Sequence, residues 1–171
     1  MEVLSYTYVV LSSPIRFSLT KERLMPVEIK LLHPDARMPE KATDGSAGYD
    51  LTSIDQEDIY PSETKVVGLG FAMSMSADLC ALICSRSGLA AKKSVFVLNA
   101  PGIIDSDYTG ELKVILTNLG DTPFRISVGD RVAQMVFHYL PHVEIDQVDL
   151  LMHYGSQRGD GGFGSTGGNA A

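Results

Sequence analysis

The amino-acid sequence predicts an all-β sandwich or barrel. Short segments of alternating or β-branched apolar residues recur along the chain, and clusters of Gly, Pro, Asn and Asp separate them. That is the pattern of many short strands joined by tight turns. Convincing amphipathic helices are absent from the pattern. The 171 residues are 44% hydrophobic and 20% charged, a balance that suits one globular domain with a sizeable core.

The elements follow in order. The chain opens with MEVLSYTYVVLSSPIRFSLTKERLMP, whose apolar stretch Val3–Leu11 is short and is preceded by Glu2 where a secretory signal carries a basic residue. No good small-residue cleavage site follows, so the segment reads as a dispensable extension rather than a signal peptide. The domain proper begins near Met25. Val27–Leu31 (VEIKL) alternates as a strand does, and so does Lys65–Met75 (KVVGLGFAMSM), after a turn at Tyr60-Pro61-Ser62. Leu79–Cys84 is a compact apolar run. Ser94–Leu98 is β-branched and aromatic, and Glu111–Asn118 and Arg131–Tyr139 complete the set. Turn clusters stand at 99–102, 120–123 and 128–130. A helical turn or two at Gly88–Lys93 is the most that the sequence allows. From about Gly155 the composition shifts to Gly, Ser and Thr, which cannot bury enough apolar surface to order by itself. The expected organisation is an extension over 1–25, the β domain over 26–154 and a mobile arm over 155–171.

Charge and composition exclude several functions. A net charge of −7 argues against a general nucleic-acid binder, which needs a basic surface. It leaves room for one anionic small ligand held by a local cluster of donors. No apolar run approaches the roughly 18–20 residues of a membrane span; no membrane partner is expected, and the chain reads as soluble and intracellular, in cytoplasm or nucleus. Cys80 and Cys84 would share one face of a strand; they read as small buried hydrophobes rather than a metal or disulfide pair. His33, His138, His142 and His153 show no zinc-binding spacing, and no protein-bound structural metal is expected.

Five stretches do not look like sheet filler: DGSAGYDL (44–51), SRSGLAAK (85–92), NAPGIIDSDYTGEL (99–112), GDRVAQMVF (129–137) and RGDGGFGSTG (158–167). In the third, two glycines let the backbone approach a flat ligand, Asn99 offers a donor and an acceptor, and Asp105 can serve as a general base for water. A plain hairpin, with Asp105 and Asp107 serving its turn, explains the same residues. Arg86, Ser87 and Gly88 form a natural phosphate-oxygen set, or a surface turn before a short helix. Gln134 among apolar neighbours is either a ligand contact or a satisfied core amide. GFGSTG spells G-x-G-x-x-G, but no strand feeds it and no helix follows, so it is not a dinucleotide fingerprint. Arg158-Gly159-Asp160 spells an adhesion tripeptide without an export signal. Arg158, Phe163, Ser165 and Thr166 are nonetheless odd residues for a mere linker.

Together and in this order, the five stretches closely resemble the homotrimeric dUTPase (deoxyuridine 5′-triphosphate nucleotidohydrolase) family over about residues 26–167, with GIIDSDYTGEL and RGDGGFGSTG the most specific. The resemblance implies a jelly-roll-like β barrel, a homotrimer whose sites are each built from three chains, and a mobile C-terminal arm that closes over the site. It implies hydrolysis of dUTP to dUMP and pyrophosphate by in-line attack of water at the α-phosphorus, with Mg²⁺ as cofactor, carried on the phosphates and keeping waters of its own.

The resemblance also implies roles. Asp105 matches the catalytic base, and Asp50 acts near the metal through water, without direct ligation. Asn99 and the backbone of Gly102, Ile103 and Ile104 correspond to a β-hairpin that reads uracil, with Lys113 a further contact through its backbone. Tyr108 lies against the deoxyribose and leaves no room for a 2′-OH. Arg86, Ser87, Gly88 and Gln134 hold the phosphates. Phe163 stacks on uracil, while Arg158, Gly164, Ser165 and Thr166 grip the triphosphate. Two rivals remain at this level: a dCTP deaminase of related fold, and a dUTPase-like scaffold that binds a protein and has lost activity. The DSDYTG turn favours hydrolysis over the first, and the filled catalytic positions speak against the second.

Overall fold

In the computed structural model the described residues are 25–151 and Gly159; the extension before Met25 and the arm residues Arg158, Phe163, Gly164, Ser165 and Thr166 lie outside them. The chain divides into two compact units, 1–140 and 141–171. In the second, the described residues 141–151 form no helix or strand, and Val143, Ile145, Leu150 and Leu151 are exposed.

Among its described residues the first unit is all-β apart from one short helix. Its strands are β1 (Val27–Leu31), β2 (Glu40–Lys41), β3 (Tyr49–Thr52), β4 (Glu57–Ile59), β5 (Thr64–Met75) and β6 (Leu79–Cys84). Helix α1 (Ser87–Lys93) follows, then β7 (Val95–Val97), β8 (Gly102–Ile104), β9 (Glu111–Asn118), β10 (Phe124–Ile126) and β11 (Arg131–Tyr139). They form a four-stranded sheet in the order β1-β5-β9-β7, a five-stranded sheet in the order β2-β3-β11-β6-β8, and a β10-β4 pair. Every pairing is antiparallel.

Alternation sends one side of each strand into a shared core. Leu112, Val114 and Leu116 of β9 are buried, as are Val67, Leu69, Phe71 and Met73 of β5. From the other sheet come Leu51, Ala81, Ile83, Ala133 and Met135. At about 25 cal/mol per Å² of apolar area removed from water, this cluster is the main term holding the two sheets together. Asn118 is the notable polar residue inside. Its side-chain amide donates to the carbonyls of Ile59 (2.8 Å) and Thr122 (2.9 Å), and its Oδ1 accepts from the Gly120 amide, so its burial is compensated.

All six expected strands are present, with Val27–Leu31, Leu79–Cys84, Glu111–Asn118 and Arg131–Tyr139 at their expected bounds. Helix α1 covers the helical turn expected at Gly88–Lys93. Both cysteines are free, Cys80 buried and Cys84 partly so. Among the described residues no helix is long and apolar enough to cross a membrane.

Candidate functional site

Three strands of the five-stranded sheet set out the first half of the site. Asp50 of β3 stands directly opposite Gln134 of β11, and Gln134 directly opposite Cys84 of β6. Opposite residues in an antiparallel ladder share a face. Leu51, Ala133, Met135 and Ile83 occupy the core face, so Asp50, Gln134 and Cys84 form one row on the outer face.

Arg131 joins this row because of a bulge. In a regular strand, residues three apart point to opposite faces, so Arg131 would face away from Gln134. The register shifts between Arg131 and Ala133: Arg131 pairs with Thr52, while Ala133 pairs with Leu51. The extra residue turns Arg131 to the face of Asp50 and Gln134. Arg131 Nη1 donates to Asp50 Oδ2 at 2.9 Å, and Arg86 Nε donates to Asp50 Oδ1 at 3.1 Å. Arg86 Nη1 also donates to the Arg131 carbonyl at 2.9 Å. Asp50 is thus gripped at both oxygens by charge-assisted bonds, and Arg86 is tied at two of its nitrogens.

Gln134 supports the same corner. Its Nε2 donates to the Ser85 carbonyl at 2.9 Å, and Ser85 Oγ accepts from the Val97 amide at 3.0 Å. A Cβ at residue 48 would stand 2.5 Å from Gln134 Oε1, so the glycine of AGYDL leaves room for the Gln134 side chain in this position. Beyond Ser85, Arg86 is the N-cap of α1 in an extended conformation, and no side chain caps the helix. Its carbonyl accepts from the amides of Leu89 and Ala90. The Ser87 and Gly88 amides precede these bonds, as donors in a helix's first turn do, and both residues are exposed.

A second cluster lies around β8. Gly102 is buried, and a Cβ there would come within 3.1 Å of Asn99 Nδ2 and 3.5 Å of Ile83 Cβ; the glycine lets the Asn99 amide lie on the backbone. Ile103 points outward, 65% exposed, and Ile104 packs against the core. Asp105 is exposed, and its carbonyl accepts from the Tyr108 amide at 3.2 Å. The Tyr108 hydroxyl donates to the Glu111 carbonyl at 3.0 Å. Lys113 lies on β9 of the other sheet, opposite Gly68, with Nζ 3.5 Å from Glu111 Oε2.

This part differs from the sequence expectation. Residues 99–112 do not form a ladder hairpin. β8 pairs with β6, whereas β9 pairs with β5 and β7. The chain leaves one sheet after Ile104 and enters the other at Glu111. β6 presents an edge that β8 completes, and Glu111–Asn118 must fill the gap between β5 and β7.

Within one chain the two clusters run along the same sheet, with Gly102 at the near end and Ile104 at the far end. Gly102 faces Ile83, and Ile104 faces Ala81, three residues down β6 from the Cys84 row. Three strand spacings and three residues along a strand separate Ile104 from Asp50, roughly 17 Å at about 4.8 Å and 3.3 Å each. The structure therefore brings together Asp50, Arg86, Ser87, Gly88 and Gln134. It holds Asn99, Gly102, Ile103, Ile104, Asp105 and Tyr108 as a separate group, with Lys113 on the second sheet. Sequence reasoning passed over Arg131 and Ser85. Both lay in quoted stretches, and Arg131 stood there as a charge opening an apolar strand.

The donor set also bears on a metal. Among the described residues no group of three His, Cys, Asp or Glu could hold one. Both oxygens of Asp50 are engaged by arginines. Such a carboxylate suits an outer-sphere role through water, and the site fits a cation that arrives on an anionic ligand.

Comparison with known proteins completes the description. A family model described as dUTPase matches residues 34–167. The deoxyuridine 5′-triphosphate nucleotidohydrolase of Helicobacter pylori is 42% identical over 143 residues, 84% of this chain and 97% of its own. That of Clostridium tetani is 43% identical over 141 residues, 82% of this chain and 96% of its own. Among solved structures, the dUTPase of Staphylococcus bacteriophage 80alpha with dUpNHpp superposes with a TM-score of 0.76 at 30% identity, covering 83% of this chain and 98% of that one. A mutant dUTPase from phage phi11 of S. aureus, described with a structural Mg(II) ion, gives 0.70 at 25% identity over 75% of this chain and 99% of that one.

Proposed function

This chain belongs to the dUTPase family, and from that premise we propose that it hydrolyses dUTP to dUMP and pyrophosphate, lowering dUTP and supplying dUMP for dTMP synthesis in an intracellular setting. The observation that carries the reading is the Asp50–Arg86–Arg131 lock. It fixes the Arg86 side chain at the start of α1, where Ser87 and Gly88 are exposed, and this corner is read as an anion cradle on an acidic chain. Such a cradle suits a triphosphate, which needs positioning and charge stabilisation more than covalent chemistry.

In this proposal Arg86, Ser87, Gly88 and Gln134 hold the phosphates, and the bond from Gln134 to the Ser85 carbonyl also keeps the Ser85–Arg86 corner in place. Asp50 is the residue that would face Mg²⁺ through water, and the ion would supply charge neutralisation to the anionic substrate. Asp105 accepts a proton from the attacking water. Asn99 and the backbone of Gly102, Ile103 and Ile104 read uracil, and Lys113 contributes through its backbone. A base with reversed donor and acceptor would leave buried groups unpaired, which can discriminate by about 10⁴. Tyr108 packs on the deoxyribose. Arg158, Phe163, Gly164, Ser165 and Thr166 of the arm, residues 155–171, close over the nucleotide, and residues 1–25 are dispensable for the activity of the 26–154 domain.

The roughly 17 Å from Ile104 to Asp50, the far ends of the two groups, is compatible with an assembly in which different chains supply Asp105 and the phosphate cradle. We place the site between subunits of a homotrimer, where Asp105 of one chain meets Arg86 of another. The test is pyrophosphate release with Mg²⁺ from dUTP, UTP, dTTP and dCTP at equal concentration. Turnover of dUTP alone is expected. Ammonia release from dCTP, or binding of dUTP without turnover, would overturn the reading.

A further inference from the structure

On a chain of net charge −7, cationic side chains are concentrated along two adjoining clefts beside α1. The first, about 320 Å³, runs from Arg86 and Arg131 past Asp130 to Phe124 and Arg125. The second, about 440 Å³, starts at the same Phe124 and Arg125 and reaches Lys92 and Lys93, with Asp121 in its lining. Because two residues line both, the clefts form one groove. It leads away from the Asp50–Arg86–Arg131 lock along the helix, whose seven residues span about 10 Å.

The cations along it divide into two sets. Arg86 and Arg131 are committed to Asp50. Lys92, Lys93 and Arg125 are exposed and take part in no ion pair among the described residues; Asp58 stands across the ladder from Arg125. Lys92 and Lys93 sit in the last turn of α1, where the helix dipole favours them. That accounts for two of the three. It does not account for Arg125, which lies on β10 and faces the same cleft. Three such charges along a polar cleft form a site for an anion longer than one phosphate group.

We propose that this groove is a second anion site, for inorganic pyrophosphate, adjoining the triphosphate cradle and receiving the product as it leaves Arg86. The proposal rests on the functional reading above for the origin of the pyrophosphate, and on the groove itself for its binding.

The test uses the full-length protein with inorganic pyrophosphate as the probe. Calorimetric titration gives its affinity, and product inhibition of dUTP hydrolysis gives its effect. The triple variant Lys92→Ala, Lys93→Ala, Arg125→Ala should bind pyrophosphate about tenfold more weakly and escape inhibition to the same degree. Its kcat/KM for dUTP should stay within about twofold of the parent, since none of the three residues belongs to the cradle. Arg125→Ala is compared with Lys30→Ala, which removes one exposed charge from β1. Unchanged pyrophosphate affinity in the triple variant overturns the proposal. So does an equal effect of Lys30→Ala, which would make net charge the cause, or a dUTP KM that rises in step with the inhibition constant, which would make the groove part of the substrate site. Loss of pyrophosphate binding in the variant, with no dUTP turnover in the parent, supports the groove and sinks the functional reading instead.

Discussion

Arg131→Ala tests the lock on Asp50 directly. It removes the 2.9 Å bond to Asp50 Oδ2 but spares the bond from Arg86 to the backbone carbonyl of residue 131. Hydrogen bonds to charged groups contribute about 1.5–3 kcal/mol. The Arg131 side chain is 55% exposed while that of Asp50 is 19% exposed, so water replaces part of the loss and the low end applies. About 1.4 kcal/mol is about tenfold in rate, and that is the expected fall in kcat/KM for dUTP. Asp50→Asn strikes harder. The charge is lost toward both arginines, and one of the two contacts must now set an amide NH₂ against a guanidinium. Two weakened bonds give about 3 kcal/mol and about a hundredfold loss. The assay is pyrophosphate release under kcat/KM conditions, with urea unfolding run beside it to separate loss of fold from loss of function. Arg131→Lys should recover part of the activity, since the charge returns without the fork. An Arg131→Ala enzyme within twofold of the parent, or one more damaged than Asp50→Asn, would refute the view that Arg131 acts through Asp50 on Arg86.

Four further outcomes are expected. Asp105→Asn should keep nucleotide binding while kcat falls by about 10²–10⁴; near-normal kcat would remove Asp105 from the mechanism. Gly48→Ala places a methyl against Gln134 Oε1 at 2.5 Å, which should cost about 1–3 kcal/mol in urea unfolding, with kcat/KM falling as the Ser85 corner shifts; an unperturbed midpoint and rate would show that Gln134 simply swings away. Ending the chain at Gln157 should cripple hydrolysis and leave the oligomer intact by light scattering, whereas a fully active truncation would reduce 155–171 to a tail. Glu63 accepts the Tyr60 amide at 2.8 Å, and this bond, helped by Lys65, holds its carboxyl below its ordinary value of 4.5. Its contribution to stability is therefore complete above pH 4.5 and is lost as pH falls through the lower folded value. Glu63→Gln should flatten that acid limb, and parallel stability curves would count against it.

Much of the fold was legible because its long strands carry their own period. Glu111–Asn118 alternates over enough residues for its buried side to be read from sequence. The strands that were missed, β2, β3, β4 and β10, are two to four residues long, too short for any period to show. Sheet membership was less legible still. Gly102–Ile104 was expected in a hairpin through the family resemblance, but its choice of β6 over β9 depends on which edges the rest of the chain leaves open, a long-range matter. Arg131 illustrates the same limit at one residue. Its odd spacing from Gln134 assigns it to the core face, and only the bulge returns it to Asp50. A bulge is a mismatch between two strands, so one strand's sequence cannot announce it.

The electrostatic question raised by the composition has a local answer. A net charge of −7 repels a polyanion at long range, but screening confines that repulsion to about 8–10 Å at ordinary ionic strength. Within that distance the candidate cradle holds Arg86, Arg131 and the exposed residues Ser87 and Gly88, with one carboxylate that both arginines already neutralise. Asp50 thus serves attraction rather than opposing it: without its charge the two guanidinium groups would repel each other and splay. The chain needs no basic surface to take an anionic substrate. It needs an acid placed so that two bases can be held side by side, and the ladder of β3, β11 and β6 supplies that placement.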